Sequence, residues 1–122
     1  MKAGAAAIVI NNDIGSAIQG AGVPNQRAEA IRDNLEANAL YLEDGTQGVL
    51  LVSCDVAAIE TEQVTAYRSS IATATGIPTE SILIGCTHTH AGPVMLHTNY
   101  LKPVDTSYME RLNDWLCQFA SY

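Results

Sequence analysis

The 122-residue chain has few basic residues, few aromatic residues and no long apolar run. Six lysines and arginines stand against 13 aspartates and glutamates, and the net charge of -7 argues against nucleic acid and anionic membrane surfaces as partners. No stretch approaches the roughly 20 apolar residues that a membrane helix needs. The apolar start of the chain is too short for a convincing signal peptide.

Cysteine is also scarce, with three residues and no CxxC pair. An odd count without such pairs does not indicate a disulfide framework. Cys54 and Cys86 end apolar runs and are expected to be inert buried thiols, with a metal role for Cys86 as the less favoured alternative. Glycine-rich phosphate loops, the GxSxG elbow and HExxH are absent, which removes the usual sequence signals of those chemistries.

The chain has enough aliphatic residues to form a core, since 48% of its residues are hydrophobic. The length allows at most one domain, spanning residues 1–122. Apolar spacing predicts strands over 5–10, 49–54 and from 82 onward, helices over 61–75 and 107–120, and loops over 18–25 and 95–103. This order predicts an α/β fold, in which helices pack on a mixed or largely parallel sheet.

One segment, 28–44, is ambiguous. Ile31, Leu35, Ala39 and Leu42 follow helical spacing, and the local composition favours a helix. The alternative is a strand over 35–42 that pairs with 49–54 through a tight Asp-Gly hairpin. Taken alone, the pattern favours the helix.

The last predicted helix opens with the capping box Ser107-x-x-Glu110. Its apolar side chains are expected to form a buried face: Tyr108, Leu112, Trp115, Leu116 and Phe119. His97 lies in the loop before this helix without a partner at useful spacing, so it is expected to be an exposed loop residue.

The most informative stretch is 82–93, where an apolar run is followed by two histidines and a Gly-Pro turn. The run is continuously apolar, so the strand is expected to be covered on both faces. Residues i and i+2 of an extended chain share a face, so His88 and His90 are expected to project together. They suit shared coordination of one metal, or one ligand and one acid/base, with two structural histidines as the alternative. Thr87 and Thr89 are expected to point the other way and hold the strand end.

Asp55 directly follows the strongest predicted strand, Val49–Cys54. Sites in α/β proteins form outside the carboxyl ends of strands, so Asp55 is a candidate site residue. The equally favoured alternative is an N-cap for the element that follows.

The stretch Gly85–Pro93, GCTHTHAGP, resembles the signature of the neutral/alkaline, non-lysosomal ceramidases. Upstream, Asp33–Gly45 is similar to a long strand and hairpin of that family, and Val49–Asp55 to its strand ending in aspartate. Thr61–Thr75 is similar to the helix that follows, so the resemblance covers about 33–93. It implies a strand, not a helix, over 35–42.

The resemblance further implies a zinc-dependent amidase that hydrolyses the N-acyl bond of a ceramide-like substrate. By the same resemblance His88 would be a zinc ligand and His90 would lie beside the metal and its water or substrate. Asp55, from its position at the strand end, is a candidate neighbour that supports them. Members of the family are several times longer, and their other ligands (a histidine, a glutamate and a tyrosine) come from sequence beyond this stretch.

The chain is therefore expected to be an N-terminal portion of a larger catalytic domain, or a shortened relative of the family, and to be inactive by itself. It would associate with the remaining part or with a second copy. Two other functions stay open: a non-catalytic α/β module for assembly or metal binding, and a hydrolase of the same family that acts on another amide or ester.

Overall fold

The computed structural model describes residues 1–19, 26–97 and 104–120. In these ranges the elements are, in chain order, β1 (Lys2–Val9), β2 (Ile18–Gln19), β3 (Glu36–Glu43), β4 (Gly48–Cys54), α1 (Thr61–Thr75), a 3-10 turn (Thr79–Ser81), β5 (Ile82–Cys86), β6 (Gly92–Pro93) and α2 (Thr106–Ala120). The parts of the predicted loops at 20–25 and 98–103 lie outside the described residues.

The main sheet has the strand order β1-β3-β4-β5. The pairs β1–β3 and β3–β4 are antiparallel, whereas β4 and β5 are parallel and are joined through α1. The predicted α/β fold with a mixed sheet is confirmed. Two residues of the predicted loop at 18–25 instead form β2, which pairs with β6 in a separate two-stranded sheet.

The ambiguous segment is a strand, so the prediction from helical spacing is wrong and the one from the resemblance is confirmed. β3 is bonded along both edges, to β1 and β4, and this pairing outweighs helix propensity. The turn into β4 is stabilised by Asp44, whose Oδ1 accepts the N–H groups of Thr46 and Gln47 at 2.8 Å each. Gly45 has φ +99°, a conformation that favours glycine.

Both helices pack on one face of the sheet. α1 lies against β5, α2 lies against β1 and β3, and the helices contact each other. Large buried side chains from both layers fill the core, among them Ile10, Leu50, Val52, Tyr67, Ile71, Ile82, Tyr108, Leu112 and Leu116. α1 ends at Thr75, as predicted, and Gly76, which follows it, has the left-handed φ of 79°. No helix in the described ranges is both long and apolar enough to cross a membrane.

The start of α2 differs from the prediction. The cap is Asp105, because its Oδ1 accepts the N–H of Tyr108 at 3.0 Å and its carbonyl accepts the N–H of Met109. Ser107 lies inside the helix, so the predicted capping box is wrong. The predicted buried face is correct except for Trp115, which is only half-buried against the core.

The other face of the sheet is not covered by the described residues. In β5, Ile82 and Ile84 are buried against the helices, but Leu83 is 59% exposed. The prediction that this strand is covered on both faces is therefore wrong for the described chain, because its helices all lie on one side. We call the uncovered surface, centred on the cross-strand row Ala5, Leu40, Leu51 and Leu83, the open sheet face.

Candidate functional site

The candidate site lies where the parallel strands β4 and β5 end at the same edge of the sheet. The chain continues to hydrogen-bond beyond both strands: Thr87 N–H donates to the carbonyl of Cys54 at 3.0 Å, and His88 N–H donates to that of Val56 at 3.1 Å. The segments that carry Asp55 and the two histidines are thereby held side by side. This is the edge at which α/β proteins place their sites.

His88 has the unusual backbone angle φ 67°, the only positive value among the described non-glycine residues. The left-handed region costs an L-residue about 1–2 kcal/mol. The strand has already ended at Cys86, so the histidines are not placed by strand alternation as predicted. A turn brings them together instead. Backbone strain of this kind, held by the surrounding hydrogen bonds, is a feature of functional positions.

The ring of His88 is fixed by one hydrogen bond. Nδ1 lies 2.7 Å from the carbonyl oxygen of Ala57. A carbonyl oxygen can only accept, so Nδ1 carries the proton and donates it. The lone pair of the neutral ring then lies on Nε2. An imidazole whose other nitrogen is held by a carbonyl is the usual arrangement of a histidine that binds a metal.

His90 lies directly beside His88. The two ring centroids are 4.7 Å apart and the ring planes meet at 79°, edge to face. Both side chains are exposed. Two imidazoles bound to one tetrahedral zinc would have centroids about 5 Å apart, given a Zn–N distance near 2.1 Å. The separation therefore suits shared coordination as well as one ligand and one acid/base.

Asp55 is not an N-cap. The residue that precedes α1 is Glu60, and the Asp55 carboxylate instead accepts the backbone N–H of Glu36 at 2.9 Å. The N–H of Asp55 donates back to the carbonyl of Glu36, also at 2.9 Å. This reciprocal pair ties the end of β4 to the start of β3. These two bonds therefore hold the chain after β4 in place, next to the segment that carries His88 and His90 (the histidine turn).

Asp55 also lines a cavity of about 500 Å³ that sequence reasoning missed. Thr87 and Thr89 line the same cavity, whereas the two imidazoles do not. The predicted separation of threonines from histidines is thus observed, although the threonines face a cavity. The other polar groups in its wall come from two distant segments: Asn11, Asn12, Glu29, Arg32, Asp33 and Asn34. Those segments have no regular structure, so no periodic signal marked them.

Close packing explains why the Gly-Pro turn has a glycine at position 92. A Cβ at this position would lie 3.3 Å from Cγ2 of Thr89 and 3.6 Å from the carbonyl oxygen of Asp55. The turn after the histidines therefore packs closely on the segment after β4. Gly92 and Pro93 then form β6, which pairs with β2.

His97 is an exposed loop residue, as predicted, and it has a partner that is distant in sequence. Its Nδ1 lies 2.8 Å from Oε2 of Glu60, and its backbone N–H also donates to that carboxylate. The hydrogen bonds from His97 hold the pKa of Glu60 below its ordinary value. The contact fastens the chain after β6 to the start of α1.

Of the two cysteines predicted to be buried, only one is buried. Cys54 is buried, as predicted, and burial raises the pKa of its thiol to about 12, so it is a neutral thiol at ordinary pH. Cys86 is exposed, so the prediction that it is buried is wrong. It occupies the last position of β5, where the alternation of buried and exposed residues stops.

The described residues match a zinc site in donor type but not in number. No group of three or more histidine, cysteine, aspartate or glutamate side chains that could hold a metal occurs in 1–19, 26–97 or 104–120. A zinc centre takes at least three protein ligands. His88 and His90 therefore supply at most part of such a set.

The architecture is an α/β fold with a mixed sheet, and the candidate site lies at the carboxyl edge of its parallel strands. Among solved structures, the chain is similar to the crystal structure of neutral ceramidase from Pseudomonas aeruginosa, with a TM-score of 0.82 and 17% sequence identity. The match covers 96% of this chain and 20% of that one, so the chain spans about a fifth of its length. No family model and no curated protein matches the sequence. The fold is thus ceramidase-like.

Proposed function

We propose that the chain carries part of the active site of a zinc-dependent amide hydrolase of the neutral ceramidase type. The observation that carries the proposal is the ring of His88, held through Nδ1 by the carbonyl of Ala57 with Nε2 left as the donor atom. The GCTHTHAGP stretch and the ceramidase-like fold support it. Residues 1–122 would be the N-terminal portion of a larger catalytic domain.

In this proposal His88 holds zinc through Nε2, and the Ala57 carbonyl keeps its ring in the required tautomer. Zinc, when bound, supplies Lewis-acid polarisation of the amide carbonyl and a lower pKa for water. His90, beside it, is placed to pass a proton to the leaving amine, a step that general acids contribute to amide cleavage. Asp55 supports the turn by fixing the segment after β4.

The proposed substrate is an N-acyl lipid amide of the ceramide kind. Thr87, Thr89 and Asp55 line a cavity next to the segment that carries the histidines. Because the two imidazoles do not line it, this cavity would take a polar part of the molecule other than the scissile amide. A different amide or ester with a polar head would use the same groups. The assay should therefore include a non-lipid N-acyl amide and the corresponding ester.

A second candidate function is a non-catalytic α/β module that binds metal or assembles with a second copy. One observation favours it: the described residues lack a third ligand. Under this reading His88 and His90 would bind metal weakly, or only in an assembly, and no hydrolysis would follow.

The first test is a zinc titration of the 122-residue chain by calorimetry, followed by elemental analysis and hydrolysis assays on the full polypeptide encoded by the same reading frame. We expect weak binding at most by the isolated chain, one zinc per full polypeptide, and loss of that zinc in His88→Asn. Thr87→Val, next to the ligand, is the matched control and should keep its zinc. His90→Ala should keep most of the metal and lose turnover.

Full zinc content in His88→Asn would refute the ligand assignment, and wild-type turnover in His90→Ala would refute its role in proton transfer. A full polypeptide that binds zinc but cleaves none of the amides or the ester would favour the non-catalytic module.

A further inference from the structure

The open sheet face runs across all four strands of the main sheet and is uncharged and mostly apolar. Its middle row joins Ala5, Leu40, Leu51 and Leu83, each the cross-strand partner of the next. The rows on either side contain Ala3, Leu42 and Val49, and Ala7, Asn38, Ser53 and Gly85. These three rows contain no charged residue.

Large side chains on this surface are open to solvent. Leu40 and Leu51 are each 39% exposed, Val49 is 43% exposed and Leu83 is 59% exposed. Exposed apolar patches of a few hundred Å² are often interaction surfaces. The parallel pair β4–β5 carries the most exposed of these side chains, Leu83, and parallel strands are seldom open to solvent on one face.

We propose that the open sheet face packs against a second apolar layer, contributed by further polypeptide of the same larger domain. The fold match covers only 20% of the neutral ceramidase chain, so most of that polypeptide lies outside the matched region. Domains of this class bury each apolar sheet face against another layer of secondary structure. The inference shares with the proposed function only the larger domain, and it needs neither the zinc nor the hydrolase activity.

The size of the surface argues against a second copy of this chain as the occupant. With strands about 4.8 Å apart and rows about 6.8 Å apart, the face measures roughly 400 Å². Two copies would bury roughly 800 Å² in total, below the ~1,000 Å² that a specific interface needs. The net charge of -7 on each copy adds repulsion. A layer in the same polypeptide avoids most of the entropy cost of association.

The experiment is hydroxyl-radical footprinting of two proteins: the 122-residue chain, and the full polypeptide of the same reading frame. Leu51 and Leu83 are the reporters, and Ile14, which is exposed outside the main sheet, is the internal control. We expect strong labelling of both leucines in the isolated chain, a several-fold decrease in the full polypeptide, and equal labelling of Ile14 in both.

A matched pair of variants tests the energetics. Leu51→Lys should lower the melting temperature of the full polypeptide far more than that of the isolated chain, whereas Ile14→Lys should change both little. Equal labelling of the leucines in the two proteins, or a reading frame that adds no polypeptide, would overturn the proposal. Protection that appears in the isolated chain with rising concentration would overturn it in favour of a second copy. Loss of zinc binding with retained protection would refute only the proposed function.

Discussion

The hydroxyl of Tyr108 donates a hydrogen bond to the carbonyl oxygen of Ile10, at 2.6 Å and across 98 residues of sequence. This bond attaches α2 to the chain that leaves β1. A second buried tyrosine joins the two helices, because the hydroxyl of Tyr67 donates to the carbonyl oxygen of Met109 at 3.1 Å. The two helices and the sheet are thus joined by hydroxyl groups that must stay protonated.

This arrangement predicts loss of stability at alkaline pH. Burial raises the pKa values of Tyr67, Tyr108 and Cys54 above their ordinary values, that of Cys54 from 9.0 to about 12. The folded state therefore keeps protons that the unfolded state releases, and the free energy of unfolding falls once pH rises above about 9. Urea unfolding followed from neutral pH to about pH 11 measures this.

The variant Tyr67→Phe tests how much Tyr67 contributes to this loss of stability at high pH. It loses the bond to Met109 and should be about 1 kcal/mol less stable at neutral pH. Its stability should fall less steeply with pH, because one buried acid is gone. If the free energy of unfolding of the variant fell with pH as steeply as that of the wild type, Tyr67 would not contribute to the loss of stability.

The left-handed backbone of His88 predicts an order among substitutions that is independent of metal. Asparagine tolerates this conformation, so His88→Asn should stay within about 1 kcal/mol of the wild type. His88→Val should be about 1–2 kcal/mol less stable than His88→Asn, because a β-branched residue is strained there. Denaturant midpoints in the presence of a chelator test the order, and equal stability of the two variants would contradict the assigned conformation.

The reciprocal hydrogen bonds between Asp55 and Glu36 predict a difference between two small changes. Asp55→Asn keeps an oxygen that can accept the Glu36 N–H, and should cost under about 1 kcal/mol. Asp55→Ala leaves that N–H without its acceptor and should cost about 1–3 kcal/mol. Equal unfolding free energies for the two variants would mean that the carboxylate does not tie the strands together.

The exposure of the thiols predicts their order of alkylation. Iodoacetamide should label Cys86 in the native protein, whereas Cys54 should react only after unfolding. Mass spectrometry of peptides taken at successive times separates the sites, with Cys86→Ser as the control. Labelling of native Cys54 as fast as Cys86 would contradict the burial.

The sequence pattern alone predicted β1, β4 and β5 from their apolar runs, and α1 and α2 from their helical spacing. It failed for β3, whose leucine and alanine spacing suits a helix, and only the resemblance indicated the strand. Local spacing cannot show that both edges of β3 are paired. Nor could the apolar run 82–84 reveal that Leu83 is exposed while its neighbours Ile82 and Ile84 are buried.

The candidate site was predicted in its residues but not in its geometry. The pairing of His88 with His90 and the position of Asp55 at the sheet edge followed from motif and strand end. Two contacts, of His88 with Ala57 and of His97 with Glu60, join residues that are 31 or more apart in the sequence. The left-handed turn depends on exact dihedral angles. Periodicity carries no information about such contacts.

The short Asp44–Gln47 turn has a consequence for the order in which the molecule folds. It closes the hairpin of β3 and β4 with only four residues, whereas β5 reaches β4 after a connection that includes all of α1. Closing a longer loop costs more chain entropy, so we expect the hairpin to form early and β5 to dock later. The two histidines, which follow β5, would then be among the last residues to reach their native positions.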